Sequence, residues 1–157
     1  MKIKILVGTT HQTSMQVAQA IELDGGDLAA IEVQNLEGQT IEALQDPQTV
    51  YLICSGSYGS GDVPENAQGF LASLQETPTY LGHVRYGVIA LGDQASYPNT
   101  FAQGGLRLDA ALADLGAQRL GDVCTLDVSQ TDEPEVVAAQ WFRTWAQDYL
   151  PKQTASI

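Results

Sequence analysis

"VYLICSGSYGSGDVPENAQGF", residues 50–70, decides the fold. It opens on an unbroken apolar run, residues 50–54, then turns through serines and glycines around Tyr58. It continues into Asp62-Val63-Pro64-Glu65, a pattern of acids and proline that starts helices. An apolar run of that length, bounded by turn residues, reads as a strand buried on both faces. A plain turn needs one or two glycines, whereas a loop whose backbone must come close to a ligand needs more. The stretch is therefore a strand, a permissive loop and a helix in succession.

The rest of the chain repeats that unit. Apolar runs of strand length fall at 3–7, 28–33, 50–54, 86–91 and 123–128. Helical periodicity fills the gaps at 13–23, 65–75, 101–115 and 134–150, with only a short helix suggested around Ile41, Ala43 and Leu44. Gly116 stands where the third long helix should stop, and Pro134 with its neighbouring acids where the last should begin. Alternating strands and helices predict an α/β domain, a parallel sheet covered on both faces in three layers. Ligands in such doubly wound folds sit beyond the C-terminal ends of the strands. We expect one domain over residues 1–150, with a frayed tail at 151–157.

At 157 residues the chain is long enough for one real core and too short for two. Seven basic residues against nineteen acidic ones leave a formal net charge of −12. That balance argues against nucleic acid and against an anionic membrane surface, both of which are held by Lys and Arg. It suits a partner with a basic face, because opposite fields speed encounter. Lys2 and Lys4 precede an apolar run too short for a secretory signal, and no run reaches the length of a membrane span. Cys54 and Cys124 lie inside strand-like runs, which predicts two reduced, buried thiols in a cytoplasmic protein.

The residues just past each strand carry the chemistry. After the first comes Gly8-Thr9-Thr10-His11-Gln12-Thr13-Ser14, with hydroxyls leading into a helix, a neutral cradle for a phosphate. After the third come Ser55, Gly56, Ser57, Tyr58, Gly59 and Gly61. After the fourth, Leu91 leads into Gly92, Asp93, Tyr97, Asn99, Thr100 and Phe101. Taken singly, each loop has a plain reading: hydroxyls cap helices, tyrosines pack on surfaces, glycines make turns. Together on one rim they describe a flat ring between Tyr58 and Tyr97, with a phosphate tail in the first loop.

At these residues the chain resembles the flavodoxins. "SYGSGDVPENA" is similar to the second flavin loop of the FMN domains of diflavin reductases, T-Y-G-x-G-D-P-x-x-N-A. "GDQASYPNTF" has the G-D-Q-x-x-Y-x-x-x-F spacing of the third flavin loop, and overall length is that of short bacterial flavodoxins of the MioC and YqcA type. The resemblance implies a flavodoxin-like five-stranded sheet of order 2-1-3-4-5, FMN as cofactor, and the loop residues named above as its ligands. It also implies a low-potential one-electron carrier and not a substrate enzyme. Its partners would be a basic-surfaced NAD(P)H-dependent flavodoxin or ferredoxin reductase and redox acceptor proteins. A monomer is expected. The first loop departs from the family's T/S-x-T-G-x-T, with His11 and Gln12 in place of threonine and glycine. His11 either donates to the phosphate, so that affinity falls as pH rises through its titration, or is a solvent-exposed ring without a role.

Other classes fail on register. Neither Ser57 nor Ser60 sits in Gly-x-Ser-x-Gly, and no dinucleotide fingerprint or Walker lysine is present. His11 and His83 lie on unrelated elements, which argues against zinc. Asp62 and Asp93 each follow a glycine, where acids serve turns, so no catalytic carboxylate pair is expected. Two alternatives stay open: an FMN-dependent NAD(P)H:quinone oxidoreductase, and a flavin-free interaction module.

Overall fold

A computed structural model describes residues 2–9, 13–57, 62–76 and 79–150. The strands are β1 (Lys2–Gly8), β2 (Ala30–Asn35), β3 (Thr49–Ser55), β4 (Arg85–Gly92), β5 (Gln118–Arg119) and β6 (Cys124–Asp127). The helices are α1 (Thr13–Asp24), α2 (Glu65–Glu76), α3 (Gln103–Asp114) and α4 (Pro134–Tyr149), with one 3-10 turn at Ile41–Leu44. Every strand pairing is parallel, in the order β2-β1-β3-β4, and β5 and β6 both pair with the outer edge of β4. The expected order 2-1-3-4-5 is therefore present: the run expected at 123–128 is β6, and the two-residue β5 before it is an addition. Gly121 stands in the break between β5 and β6: its φ of +78° is open to glycine and costly for other residues. The break is pinned by hydrogen bonds from Leu120 N–H to the Tyr86 carbonyl at 2.7 Å and from Trp145 Nε1 to the Leu120 carbonyl at 2.7 Å.

Alternation along the strands builds the layers. Ile3, Ile5 and Val7 of β1, with Val50, Leu52 and Cys54 of β3, pack under α1 and α4 against Val17, Ile21, Phe142 and Trp145. The intervening Leu6, Tyr51 and Ile53, with Tyr86, Val88 and Ala90, face α2 and α3 against Phe70, Leu108 and Leu112. Each helix presents a matching stripe, such as Ala138, Phe142, Trp145 and Ala146 on α4, at the spacing of one helical face. Fully burying a side chain such as Phe70 or Phe142 contributes on the order of 1.5–3 kcal/mol. Helix ends agree with the sequence as well. Gly116 takes φ +92°, its N–H donates to the Ala113 carbonyl, and that of Ala117 donates to Leu112, a Schellman closure of α3.

The two thiols are free, Cys54 buried and Cys124 only partly so. Both register with Ile89, from opposite sides of β4. Two interstrand spacings, roughly 10 Å, separate them, beyond the Cα reach of a disulfide. Burial pushes the Cys54 thiol far up and the Cys124 thiol up to about 11, so neither supplies a thiolate near neutral pH.

Candidate cofactor site

β1, β3 and β4 end side by side, with Gly8 registered to Ser55 and Ser55 to Ala90. Beyond these ends lies a cavity of about 430 Å³, inside the range of about 300–1,000 Å³ that holds cofactors. All three predicted loops contribute to it. The first supplies Thr9, Thr13 and Ser14; the second Gly56 and Ser57; the third Leu91, Gly92, Asp93, Tyr97, Thr100 and Phe101. Ser55 is fully buried and turns its hydroxyl to the Gly56 carbonyl at 2.9 Å, so it supports the wall from behind. Asn99 is exposed and does not line the cavity. Thr10, His11, Gln12, Tyr58, Gly59 and Gly61 lie outside the described residues.

The phosphate end is built by α1. Ser14 is only 2% exposed and lines the cavity, and no described residue hydrogen-bonds its hydroxyl. Buried hydroxyls find partners, so an unpaired one facing a cavity at a helix start fits a ligand oxygen. The backbone of Gly56 passes close by: a β-carbon there would come 3.3 Å from Ser14 Oγ. Thr9 is held from the other side, its N–H donating to Asn66 Oδ1 at 2.8 Å.

The ring end is built by the third loop. Asp93 accepts from the Ser96 N–H at 3.1 Å and from the Ser96 hydroxyl at 2.9 Å, and its carbonyl accepts from the Tyr97 N–H at 2.8 Å. That acid-closed turn presents Tyr97, whose side of the loop stays open with 47% of its surface exposed. Leu91, Phe101 and Val128 supply apolar walls. Asp127 steadies the loop from β6, accepting from the Gln94 N–H at 3.0 Å. The Ser129 hydroxyl at 2.6 Å, helped by the Gln94 and Ser129 N–H groups, holds the Asp127 carboxyl below the usual carboxylate range. The acids thus act as turn-formers. Asp62, for its part, lies beside Arg107 at 3.7 Å, away from Asp93's turn.

Ser57 ties second and third loops together. Its hydroxyl accepts from the Gly104 N–H at 2.9 Å and donates to the Leu91 carbonyl at 3.3 Å. Helix α3 comes this close because Gly104 carries no side chain: a β-carbon would collide with the Gly56 carbonyl oxygen and sit 2.9 Å from the Ser57 Cα. Sequence reasoning passed over Gly104, Ala102 and Val128. The Gly104-Gly105 pair inside a predicted helix was the available signal, since paired glycines there weaken a helix without a packing reason. Ala102, fully buried at the cavity wall, takes φ +58°, which nothing in its residue type announces. Asn66 and Asp127 were also missed as braces, because their partners come from distant elements.

Three loops on the carboxyl rim of a parallel sheet, with a buried hydroxyl that no described residue partners and an exposed aromatic among their lining residues, define a doubly wound domain with a ligand-sized cavity at its rim. The flavodoxin family profile matches residues 5–141. Flavodoxin YqcA of Pectobacterium carotovorum is 41% identical over 147 residues, covering 92% of this chain and 95% of that protein. Protein MioC of Escherichia coli is 31% identical over 143 residues, covering 91% and 95%. The solved structure of a cysteine-to-alanine mutant of flavodoxin from Pseudomonas aeruginosa superimposes with a TM-score of 0.80 at 27% identity, covering 96% of this chain and all of that one. The chain belongs to the flavodoxin family, the FMN-dependent electron-transfer proteins. Among the described residues no helix is long and apolar enough to cross a membrane, and no cluster of three metal-ligating side chains occurs.

Proposed function

We propose that this protein is a low-potential one-electron carrier that holds FMN in the rim cavity and passes electrons between a basic-surfaced reductase and acceptor proteins. The observation that carries the reading is the cavity itself: the Ser14 hydroxyl, buried and without a described partner, at one end, and Tyr97 at the other. Thr13 and Ser14 at the start of α1 would hold the phosphate with uncharged donors, which the helix dipole assists. Tyr97 would lie on one face of the ring, an offset aromatic contact contributing about 1 kcal/mol beyond burial. Tyr58 is the residue proposed for the other face. FMN supplies the redox chemistry when bound; the protein supplies position and electrostatics.

Leu91, Phe101 and Val128 surround the ring end with apolar surface, and the chain carries a net charge of −12. Both disfavour added negative charge in the cavity, which lowers the potential at which an electron is accepted. Asp93 is the one carboxylate among the described lining residues, and Ser96 engages both its oxygens. The acidic surface guides a basic reductase to the open Tyr97 edge.

The test is a visible spectrum of the purified protein, followed by titration with FMN. A flavin spectrum or fluorescence quenching on mixing supports the reading, and a colourless protein with no quenching leaves a flavin-free module. Rapid NADPH oxidation by the holoprotein without an added reductase would mark it as an oxidoreductase instead.

A further inference from the structure

Asn66, the second residue of α2, stands outside the cavity lining, yet its amide ties three separate elements together. Its Oδ1 accepts from the Thr9 N–H at 2.8 Å. Its Nδ2 donates to the Val7 carbonyl at 3.1 Å and to Asn35 Oδ1 at 2.8 Å. The bonds fix which way the amide faces, since a backbone N–H can meet only the oxygen and a carbonyl only the nitrogen. Asn35 is itself set by the Glu37 N–H, which donates to the same oxygen at 2.7 Å. The end of β1, the end of β2 and the start of α2 thus meet in one side chain.

This arrangement holds the chain where β1 ends. β1 ends at Gly8, and α1 is described from Thr13. Thr9 follows β1 and lines the cavity, and its N–H donates to Asn66 and not into the cavity. We infer that Asn66 is a positioning residue for the phosphate end of the site: by holding the Thr9 amide it fixes a lining residue beside Thr13 and Ser14. It also commits the Thr9 N–H, which is then not a donor to the phosphate. Aspartate keeps the acceptor but loses both donors, leucine keeps the shape but loses all three bonds, and serine is too short.

The inference rests on FMN occupying the cavity, and the experiment separates the two. The dissociation constants of FMN and riboflavin, which differ only in the phosphate, are measured for the wild-type protein, Asn66→Ala and Asn35→Ala. If the wild-type protein binds neither ligand, the cofactor reading itself fails. If it binds FMN, Asn66→Ala is expected to weaken FMN by about tenfold while riboflavin changes less than about twofold, the scale of one or two lost hydrogen bonds. Equal weakening of both ligands, or no change in either, overturns the positioning role. Should Asn66→Ala fail to fold, Asn35→Ala decides: it removes one strut from Asn66 at an exposed position, and a selective FMN loss of about threefold is expected. An unchanged FMN-to-riboflavin ratio in that variant overturns the inference.

Discussion

Where β3 and β4 begin, polar side chains close on one another. The buried Tyr86 donates its hydroxyl to Asp109 Oδ1 at 2.7 Å, and Asp109 is paired with Arg119 at 2.7 Å. Nearby, Asp46 Oδ2 accepts from the Thr49 hydroxyl at 2.8 Å, and the Tyr51 oxygen accepts from the Asp46 N–H. Burial, then the Asp109 hydrogen bond, drives the Tyr86 hydroxyl to titrate far above its usual range. Where the same strands end, Ser14 is just as buried but its hydroxyl meets no described partner, and α3 is drawn in on a glycine against the second loop. One sheet carries both ends. A buried polar group satisfied by protein serves stability, and one left facing a cavity serves a ligand.

Four substitutions or conditions probe that contrast. The largest effect is expected from Gly104→Ala. Helix propensity alone would favour alanine by about 1 kcal/mol, but the new methyl meets backbone of the second loop, which cannot step aside. Net destabilisation of about 1–3 kcal/mol in urea unfolding is expected, with loss of FMN affinity. Equal or greater stability with affinity retained would break the view that α3 and the second loop are fitted to each other.

Tyr97→Ala should split the two readouts. FMN should weaken by about tenfold, close to 1.4 kcal/mol, when the ring contact is lost. Stability of the flavin-free protein should change by less than about 0.5 kcal/mol, since the side chain is 47% exposed. Unchanged affinity removes Tyr97 from the site. Tyr86→Phe should do the reverse at the other end, costing about 1 kcal/mol of stability through the lost Asp109 bond and leaving FMN affinity as it was.

The smallest effect concerns pH. The Asp127 carboxyl, whose folded titration is depressed by Ser129 and the Gln94 N–H, braces the third loop in its charged form. Its contribution is complete above the unfolded value of about 3.9 and is lost as pH falls through the lower folded value. FMN affinity of wild-type protein should therefore fall more below about pH 4 than that of Asp127→Asn, which lacks the titration. Parallel acid profiles would show that the brace does not reach the cavity.

Much of this was legible in the residues. The predicted helix at 65–75 is α2 at Glu65–Glu76, and the weak helical pattern near Ile41 is a single 3-10 turn, because apolar spacing reports a face to be buried. The fifth strand expected at 123–128 is β6 at Cys124–Asp127, while the two-residue β5 before it was not legible, since a pair of exposed residues leaves no apolar run. In the site, the loop residues were legible because glycine, hydroxyl and aromatic types cluster after strands. Ala102, Val128 and the braces Asn66 and Asp127 were not, because each matters through a partner far along the chain: Asn66 and Thr9 are 57 residues apart.

By itself, the sequence determined the alternation of strand and helix, the parallel sheet and the three loops at its carboxyl rim, since these follow from local patterns of burial and turn chemistry. Only the tertiary structure decided which buried hydroxyl meets no described partner, where α3 can approach on Gly104, and that the Thr9 amide belongs to Asn66. Those are matters of distance between elements, and distance is set when the layers pack.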